Sequence, residues 1–250
     1  MCELLGFTAR EPVDIRAQLR VFYSHSDKHP HGWGIMHSGG VIEKGKERAS
    51  DSRPLEWLIG ALQPQTTLLG HIRYATVGSI KLKNCHPFSD EDVTGRRWTL
   101  IHNGTIYSGS RLIPYLHTQV GDTDSERMFL YLMDTLNRAQ AEGELSAEER
   151  FELIESFVRE LSPRNKLNLM IYDGELMYIH KNMEDTMKYR RIDSGIMFAT
   201  SPVDGGDWQD VPIAQLLAYK DGEQVFAGTP HGGIFVPTLQ YIKAMDAMNI

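Results

Sequence analysis

Met1-Cys2-Glu3-Leu4-Leu5-Gly6-Phe7-Thr8-Ala9 opens the chain, and the reading of this stretch decides the rest. From Leu4 the run is apolar, which predicts a buried strand starting just after a thiol. Removal of Met1 would leave Cys2 with a free α-amine beside its sulfur. A thiol attacks as its thiolate, and an α-amine ordinarily titrates at roughly 7.7–8.0. One residue would then hold a nucleophile and a base suited to neutral pH. Taken alone, a cysteine at position 2 is more simply a chance occupant of a chain terminus. The polar segments downstream decide between these readings.

With 250 residues, 41% of them hydrophobic, the chain is long enough to bury a sizeable core, and no linker or repeat divides it. The reading is one domain over residues 2–250, with Met1 removed. A net charge of -7 weighs against a nucleic-acid surface. No apolar stretch approaches the roughly 20 residues needed to span a membrane, and no basic start with an apolar core marks a signal peptide. Two cysteines, Cys2 and Cys85, make no disulfide framework. The expected compartment is the cytoplasm, which suits a free thiol.

Helical spacing of apolar residues predicts helices over 13–24, 51–62, 122–138 and 146–161, the last opened by a Ser146/Glu149 capping box. Short strand-like runs fill 33–37, 41–44, 66–76, 97–102 and the region after Lys166. Gly39-Gly40, Asp173-Gly174 and Asp221-Gly222 are hairpin signals. Strands at both ends with two long helices between them predict an α+β fold of mostly antiparallel sheet. Two stacked sheets between helical layers would be the natural packing.

Three polar segments stand at the ends of these elements. Arg73, in Gly70-His71-Ile72-Arg73-Tyr74-Ala75-Thr76-Val77-Gly78, could grip a carboxylate through its planar fork, although most lone arginines form ordinary salt bridges. Asn103-Gly104 reads as a plain turn, or as a side-chain amide and a backbone N–H suited to an oxyanion. Gly121-Asp122-Thr123-Asp124-Ser125-Glu126 opens a helix. One aspartate there is expected to cap it, leaving the other for a ligand ammonium. A nucleophile with its own base, two oxyanion donors, a carboxylate clamp and an ammonium acceptor together fit an α-amino acid bearing a side-chain amide, which is glutamine.

With these segments in order, the sequence resembles the class II glutamine amidotransferases of the N-terminal nucleophile hydrolase superfamily, in their compact stand-alone form. The likeness rests on Met1-Cys2-Glu3-Leu4-Leu5-Gly6, His31-Gly32-Trp33-Gly34-Ile35, His71-Ile72-Arg73, His86-Pro87-Phe88, His102-Asn103-Gly104 and Thr123-Asp124-Ser125-Glu126, with Ala199-Thr200-Ser201-Pro202 and Trp208 later. The resemblance implies a four-layer αββα sandwich. It also implies that Cys2 is the nucleophile, Asn103 and Gly104 the oxyanion hole, Arg73 the carboxylate clamp and Asp124 the ammonium acceptor. Tyr74 and Thr76 would line the substrate pocket; Tyr74 and Val77 depart from the Trp and His of relatives fused to synthases. The implied reaction releases ammonia from glutamine through a glutamyl thioester, with no cofactor. Any enzyme accepting that ammonia would lie on another chain. Because Arg73 and Asp124 would recognise only the α-carboxylate and α-ammonium, a γ-glutamyl peptide or amide is an alternative substrate. A non-catalytic partner-binding module on the same scaffold is a third reading.

Other features carry less. His25, His29 and His31 lack the cysteine pair or carboxylate of a convincing zinc site. Cys85 reads as a structural cysteine. Residues 40–46 nearly spell a phosphate loop, but Glu47 stands where Ser or Thr should be. Met245 and Met248 read as packing residues or a partner contact.

Overall fold

The computed structural model describes residues 2–239 and 241–243; Met1, Gln240 and the tail containing Met245 and Met248 lie outside the described residues. In chain order the strands are β1 (Glu3–Val13), β2 (Trp33–His37), β3 (Val41–Gly45), β4 (Gln65–Ile72), β5 (Phe88–Glu91), β6 (Arg97–Thr105) and β7 (Lys166–Tyr172). They continue as β8 (Met177–His180), β9 (Lys188–Ile192), β10 (Gly195–Ala199), β11 (Gln209–Asp210), β12 (Leu217–Lys220) and β13 (Glu223–Ala227). The α-helices are α1 (Arg16–Ser24), α2 (Arg53–Ala61), α3 (Asp124–Ala139) and α4 (Ala147–Leu161). One sheet runs β11-β9-β10-β1-β4-β2-β3 and the other β13-β12-β8-β7-β6-β5. Each of these strand pairings is antiparallel.

Three buried layers of side chains separate four layers of backbone. Leu19, Phe22, Leu55 and Leu58 of α1 and α2 pack on Leu5, Phe7, Leu68 and Ile72. Leu4, Met36, Leu69, Ile101, Met170 and Phe198 fill the space between the sheets. Met128, Leu132, Leu136, Ile154 and Phe157 of α3 and α4 cover Leu100, Leu167 and Leu169 on the far side. The arrangement is the αββα sandwich that the family resemblance implies. Each such side chain, fully buried, contributes about 1.5–3 kcal/mol.

The period-2 alternation of strands decides which residues enter which layer. On β1, Leu5 and Phe7 face the helices, whereas Leu4 faces the other sheet. Gly6 shares that inward face, where a Cβ would stand 2.6 Å from the Met170 sulfur. Cys2 has the same parity as Leu4 and Gly6, so it belongs to the end of the inter-sheet space.

Helix starts follow local chemistry. Ser52 accepts from Leu55 N, and Ser146 and Glu149 form the reciprocal capping box. Thr123, not an aspartate, caps α3, accepting from Glu126 N at 3.2 Å. β5, β9 and β11 have no strong apolar run of their own; pairing with β6, β10 and β9 makes them strands. β6 continues through Asn103-Gly104 to Thr105, because β7 pairs with it as far as Lys166, so this Asn-Gly is not a turn.

On β2, a Cβ at Gly34 would collide with the His86 carbonyl oxygen, a backbone atom that cannot swing aside. Gly34→Ala is expected to cost roughly 1–3 kcal/mol, several degrees of Tm at about 2–4 °C per kcal/mol in a chain of this size. Thermal melting followed by circular dichroism checks it; an unchanged Tm would show that the 86–87 segment moves freely.

Candidate functional site

The start of the chain is pinned from two directions. Leu4 N donates to Thr200 Oγ1 at 3.1 Å, and Thr200 N donates to the Leu4 carbonyl at 3.1 Å. The Glu3 carboxylate lies 2.7 Å from His25 Nδ1 and 3.4 Å from His29 Nε2, and accepts from Ser201 Oγ at 3.2 Å. Burial opposes its charge, yet hydrogen bonds from both histidines hold Glu3 down at about 2. Two of the three histidines weighed above as metal ligands are thus used to fix the residue after Cys2. Among the described residues no group of three or more His, Cys, Asp and Glu side chains could hold a metal ion.

With Glu3 and Leu4 fixed, the Cys2 sulfur meets the backbone just beyond β4. Tyr74 N donates to Sγ at 3.3 Å, and the thiol donates to the Tyr74 carbonyl at 3.4 Å. Burial pushes the Cys2 thiol above its ordinary range, against the lowering effects of the Tyr74 backbone, Arg73 and Lys166. Burial thus favours the protonated form of this sulfur.

Arg73 is buried, and its guanidinium is occupied by the loop that follows. Nη1 donates to Ser79 O at 3.1 Å, and Nη2 to Val77 O at 3.1 Å. Ala75 N donates to His31 Nδ1 at 2.9 Å, tying the same loop to the segment before β2. Asp122 holds its far end, accepting from Ser79 N at 3.0 Å and Ser79 Oγ at 2.7 Å, and also from Asn84 Nδ2. Those Ser79 hydrogen bonds keep Asp122 down at about 2.

The two aspartates therefore divide their work: Asp122 anchors the loop, and Asp124 faces the site. Asp124 is 4% exposed, its Oδ2 accepting from Ile106 N at 2.7 Å and its Oδ1 from Ser125 N at 3.0 Å. Next to it, Ser125 Oγ lies 2.9 Å from His102 Nδ1, and His102 Nε2 lies 3.2 Å from the Lys166 carbonyl. A carbonyl only accepts, so Nε2 carries the proton and Nδ1 takes the Ser125 hydroxyl. Burial lowers His102, which suits this neutral tautomer.

Cys2, Arg73, Tyr74, Thr76, Gly104 and Asp124 line one cavity of about 20 Å³. That is room for about one water molecule. At Gly104 a Cβ would collide with the Lys166 carbonyl oxygen and His102 Nε2, so the position requires glycine. β5 stops pairing with β6 at Leu100, so the β6 edge along 101–105 carries no strand. Asn103 is not on the cavity wall; it lies one residue earlier, on the inward face of β6, with Oδ1 3.1 Å from Lys166 Nζ. Lys166, fully buried, is the site residue that sequence reading passed over. The signal was present: Lys166, Asn168 and Met170 share one face of an otherwise apolar strand. Cys85 is buried, donates to Gly45 O at 3.4 Å, and is pushed up to about 11 by burial, as suits a structural thiol.

A family model described as glutamine amidotransferases class-II matches residues 1–193. The Escherichia coli (strain K12) protein YafJ, named provisionally as a glutamine amidotransferase, is 27% identical over 255 residues, covering 90% of this chain and all of YafJ. The crystal structure titled a predicted glutamine amidotransferase from Pseudomonas aeruginosa PA01 superposes with a TM-score of 0.65 at 23% identity, covering 90% of this chain and 100% of that one. The glutamine phosphoribosylpyrophosphate amidotransferase of Bacillus subtilis gives a TM-score of 0.67 at 17% identity, over 93% of this chain and 50% of the larger one. With more than three quarters of its length matched by the family model, the chain belongs to the class II glutamine amidotransferases.

Proposed function

We propose that this chain hydrolyses the side-chain amide of glutamine, with Cys2, once Met1 is removed, as nucleophile. One observation supports this above all: Cys2, Arg73, Gly104 and Asp124 border the same cavity. A zwitterionic amino acid with an amide at its far end matches that set.

In this reading the Cys2 α-amine takes the thiol proton as sulfur adds to the δ-carbonyl carbon. The burial that raises the thiol makes this internal base necessary. The carbonyl oxygen becomes an oxyanion facing the Gly104 N–H and the Asn103 side-chain amide. The C–N bond then breaks, the amine returns the proton to the leaving nitrogen, and ammonia departs from a glutamyl thioester. Water adds to the thioester, releasing glutamate and restoring the thiol. Arg73 takes the α-carboxylate in place of the Val77 and Ser79 carbonyls, exchanging neutral acceptors for a charged one. Asp124 takes the α-ammonium. Tyr74 positions the sulfur through its backbone N–H, and Thr76 borders the entrance. The same contacts would admit γ-glutamyl amides and peptides.

Cys2→Ala is expected to abolish ammonia release from glutamine while leaving the circular dichroism spectrum unchanged. A chain carrying one uncleaved residue before Cys2, verified by intact mass, should be equally inactive; substantial turnover in either would exclude the amino-terminal mechanism. Asp124→Asn should raise KM for glutamine by about 10–100-fold, the equivalent of one hydrogen bond to a charged group at about 1.5–3 kcal/mol. Steady-state kinetics with glutamine and a γ-glutamyl amide, with ammonia and amine measured separately, reads this value and ranks the two substrate classes.

A further inference from the structure

We propose that Lys166 is a positioning residue for this reaction: its Nζ donates to Asn103 Oδ1 and thereby turns the Asn103 NH2 towards the reacting carbonyl. The inference rests on the proposed glutamine chemistry and adds a residue to it. An asparagine amide has two nearly isosteric orientations, one presenting NH2 and the other oxygen. Only the first stabilises an oxyanion. An ammonium or amine at the tip of a lysine can donate to the amide oxygen, and in its charged form it accepts nothing. In its charged form a fixed lysine beside Asn103 therefore selects the productive orientation, whereas a hydroxyl or a second amide would accept either.

The lysine is fixed. Lys166 is 0% exposed, on the inward face of β7. Its neighbours on both sides are pinned: Asn165 Oδ1 accepts from Tyr107 N at 2.7 Å and Ser108 N at 2.9 Å, and Leu167 N donates to Asn182 Oδ1 at 2.7 Å. Asn182 Nδ2 closes the set on the Asn165 carbonyl at 2.8 Å. Asn168 stands directly across from Asn103 in the sheet register and is the alternative donor, but its buried Nδ2 makes no hydrogen bond among the described residues, whereas Lys166 Nζ reaches Asn103 Oδ1 at 3.1 Å. The Lys166 carbonyl meanwhile receives His102 Nε2 at 3.2 Å, so the residue supports both sides of the tripeptide His102-Asn103-Gly104. Lys166 also lies close enough to the Cys2 sulfur for the two to influence each other's charge.

A buried amine is an expensive way to fill space, since a methionine of similar length would pack without desolvation cost. Burial pulls Lys166 down to about 7, the Cys2 thiolate opposing it, so Nζ titrates near neutrality. Both of its forms can donate to Asn103, but the charged form polarises the amide more strongly.

A double-mutant cycle with Lys166→Met and Asn103→Ala tests the proposal, with glutamine hydrolysis by the unaltered protein as the reference. Lys166→Met should lower kcat by about 10²-fold, the loss typical of one oxyanion donor, while KM changes by less than about threefold. In the Asn103→Ala background the same substitution should cost less than about threefold, because its target is already gone. An unchanged kcat in Lys166→Met, or a full loss that persists without Asn103, overturns the proposal. The side-chain NH2 resonances of Asn103, assigned by their disappearance in Asn103→Ala, give a second reading that needs neither turnover nor a folded Lys166 variant. In the unaltered protein they should shift together with the Lys166 side-chain resonances as that residue titrates, since its charged form polarises the amide more strongly; Lys166 resonances that titrate while those of Asn103 stay flat overturn the proposal. If the unaltered protein releases no ammonia from glutamine, the functional reading fails, and the resonances still decide the Lys166–Asn103 coupling.

Discussion

The pairing of β1 on both edges is the constraint on which the site depends. β4 holds one edge from Glu3 to Thr8 and β10 the other from Leu5 to Ala9. Because side chains alternate, a slip of one residue would move Leu5 and Phe7 from the helix-covered face into the inter-sheet layer and send Cys2 outwards. The large apolar residues of β1 therefore set the direction of the thiol, which the Tyr74 backbone then receives. Glu3 adds a second lock: its contacts with His25 and His29, in the turn after α1, and with Ser201 bring two separate segments onto the residue beside Cys2. The reactive end of the chain is held by the same forces that hold the core.

The inter-sheet layer also explains where polar groups can gather. Along it, Met36, Leu69, Ile101, Met170 and Phe198 make a dry interior. Continue each strand by two residues towards the site and the inward residues become His71 on β4 and then Arg73 just past its end, Asn103 on β6, Cys2 before β1, and Asn168 and then Lys166 on β7. These side chains gather at the open end of the layer between the sheets, and Asp124 joins them from the start of α3. Groups buried there are costly unless paired, and the pairing is extensive: Arg73 with loop carbonyls, Asp124 with two backbone N–H groups, His102 with Ser125 and Lys166, and Asn103 with Lys166. Low polarity around such a network strengthens each contact.

Much of this was legible in the sequence, and the misses have physical causes. The amphipathic spacing of Met128, Leu132 and Leu136 announced α3, and Ser146 with Glu149 announced α4, because helices are local. The stacking of two sheets was anticipated from element order. β5, β9 and β11 escaped because their residues, such as the Lys188-Tyr189-Arg190-Arg191 run, become strands through partners distant in sequence. The Asn103-Gly104 turn reading failed for the same reason: β7 pairs through it, overriding a local preference for turning. The cap of α3 was assigned to an aspartate because carboxylates are good caps, yet Thr123 occupies the capping geometry and frees both neighbours. Motif order found Cys2, Arg73, Gly104 and Asp124, which line one cavity. Lys166 has no motif around it; its place across from Thr105 is a property of β-sheet register.

The charges at the site show why two cations and one buried carboxylate are compatible with a zwitterionic ligand. Before any ligand binds, Arg73 is neutralised by carbonyl dipoles and Asp124 by backbone N–H groups, so neither requires a counter-ion of its own. In the proposed reaction a glutamyl head brings one charge of each sign, the carboxylate displacing the loop carbonyls from Arg73 and the ammonium meeting Asp124. In that proposal the charge that develops during reaction is a third one, on the carbonyl oxygen at the other end of the ligand. It needs its own compensation, and the described residues supply the Gly104 backbone and the Asn103 amide backed by the Lys166 amine. Binding and bond-breaking thus draw on separate groups. Interactions made only as charge develops accelerate the chemical step, whereas those made equally throughout only tighten binding. The division between Arg73 with Asp124 and Asn103 with Lys166 follows that distinction.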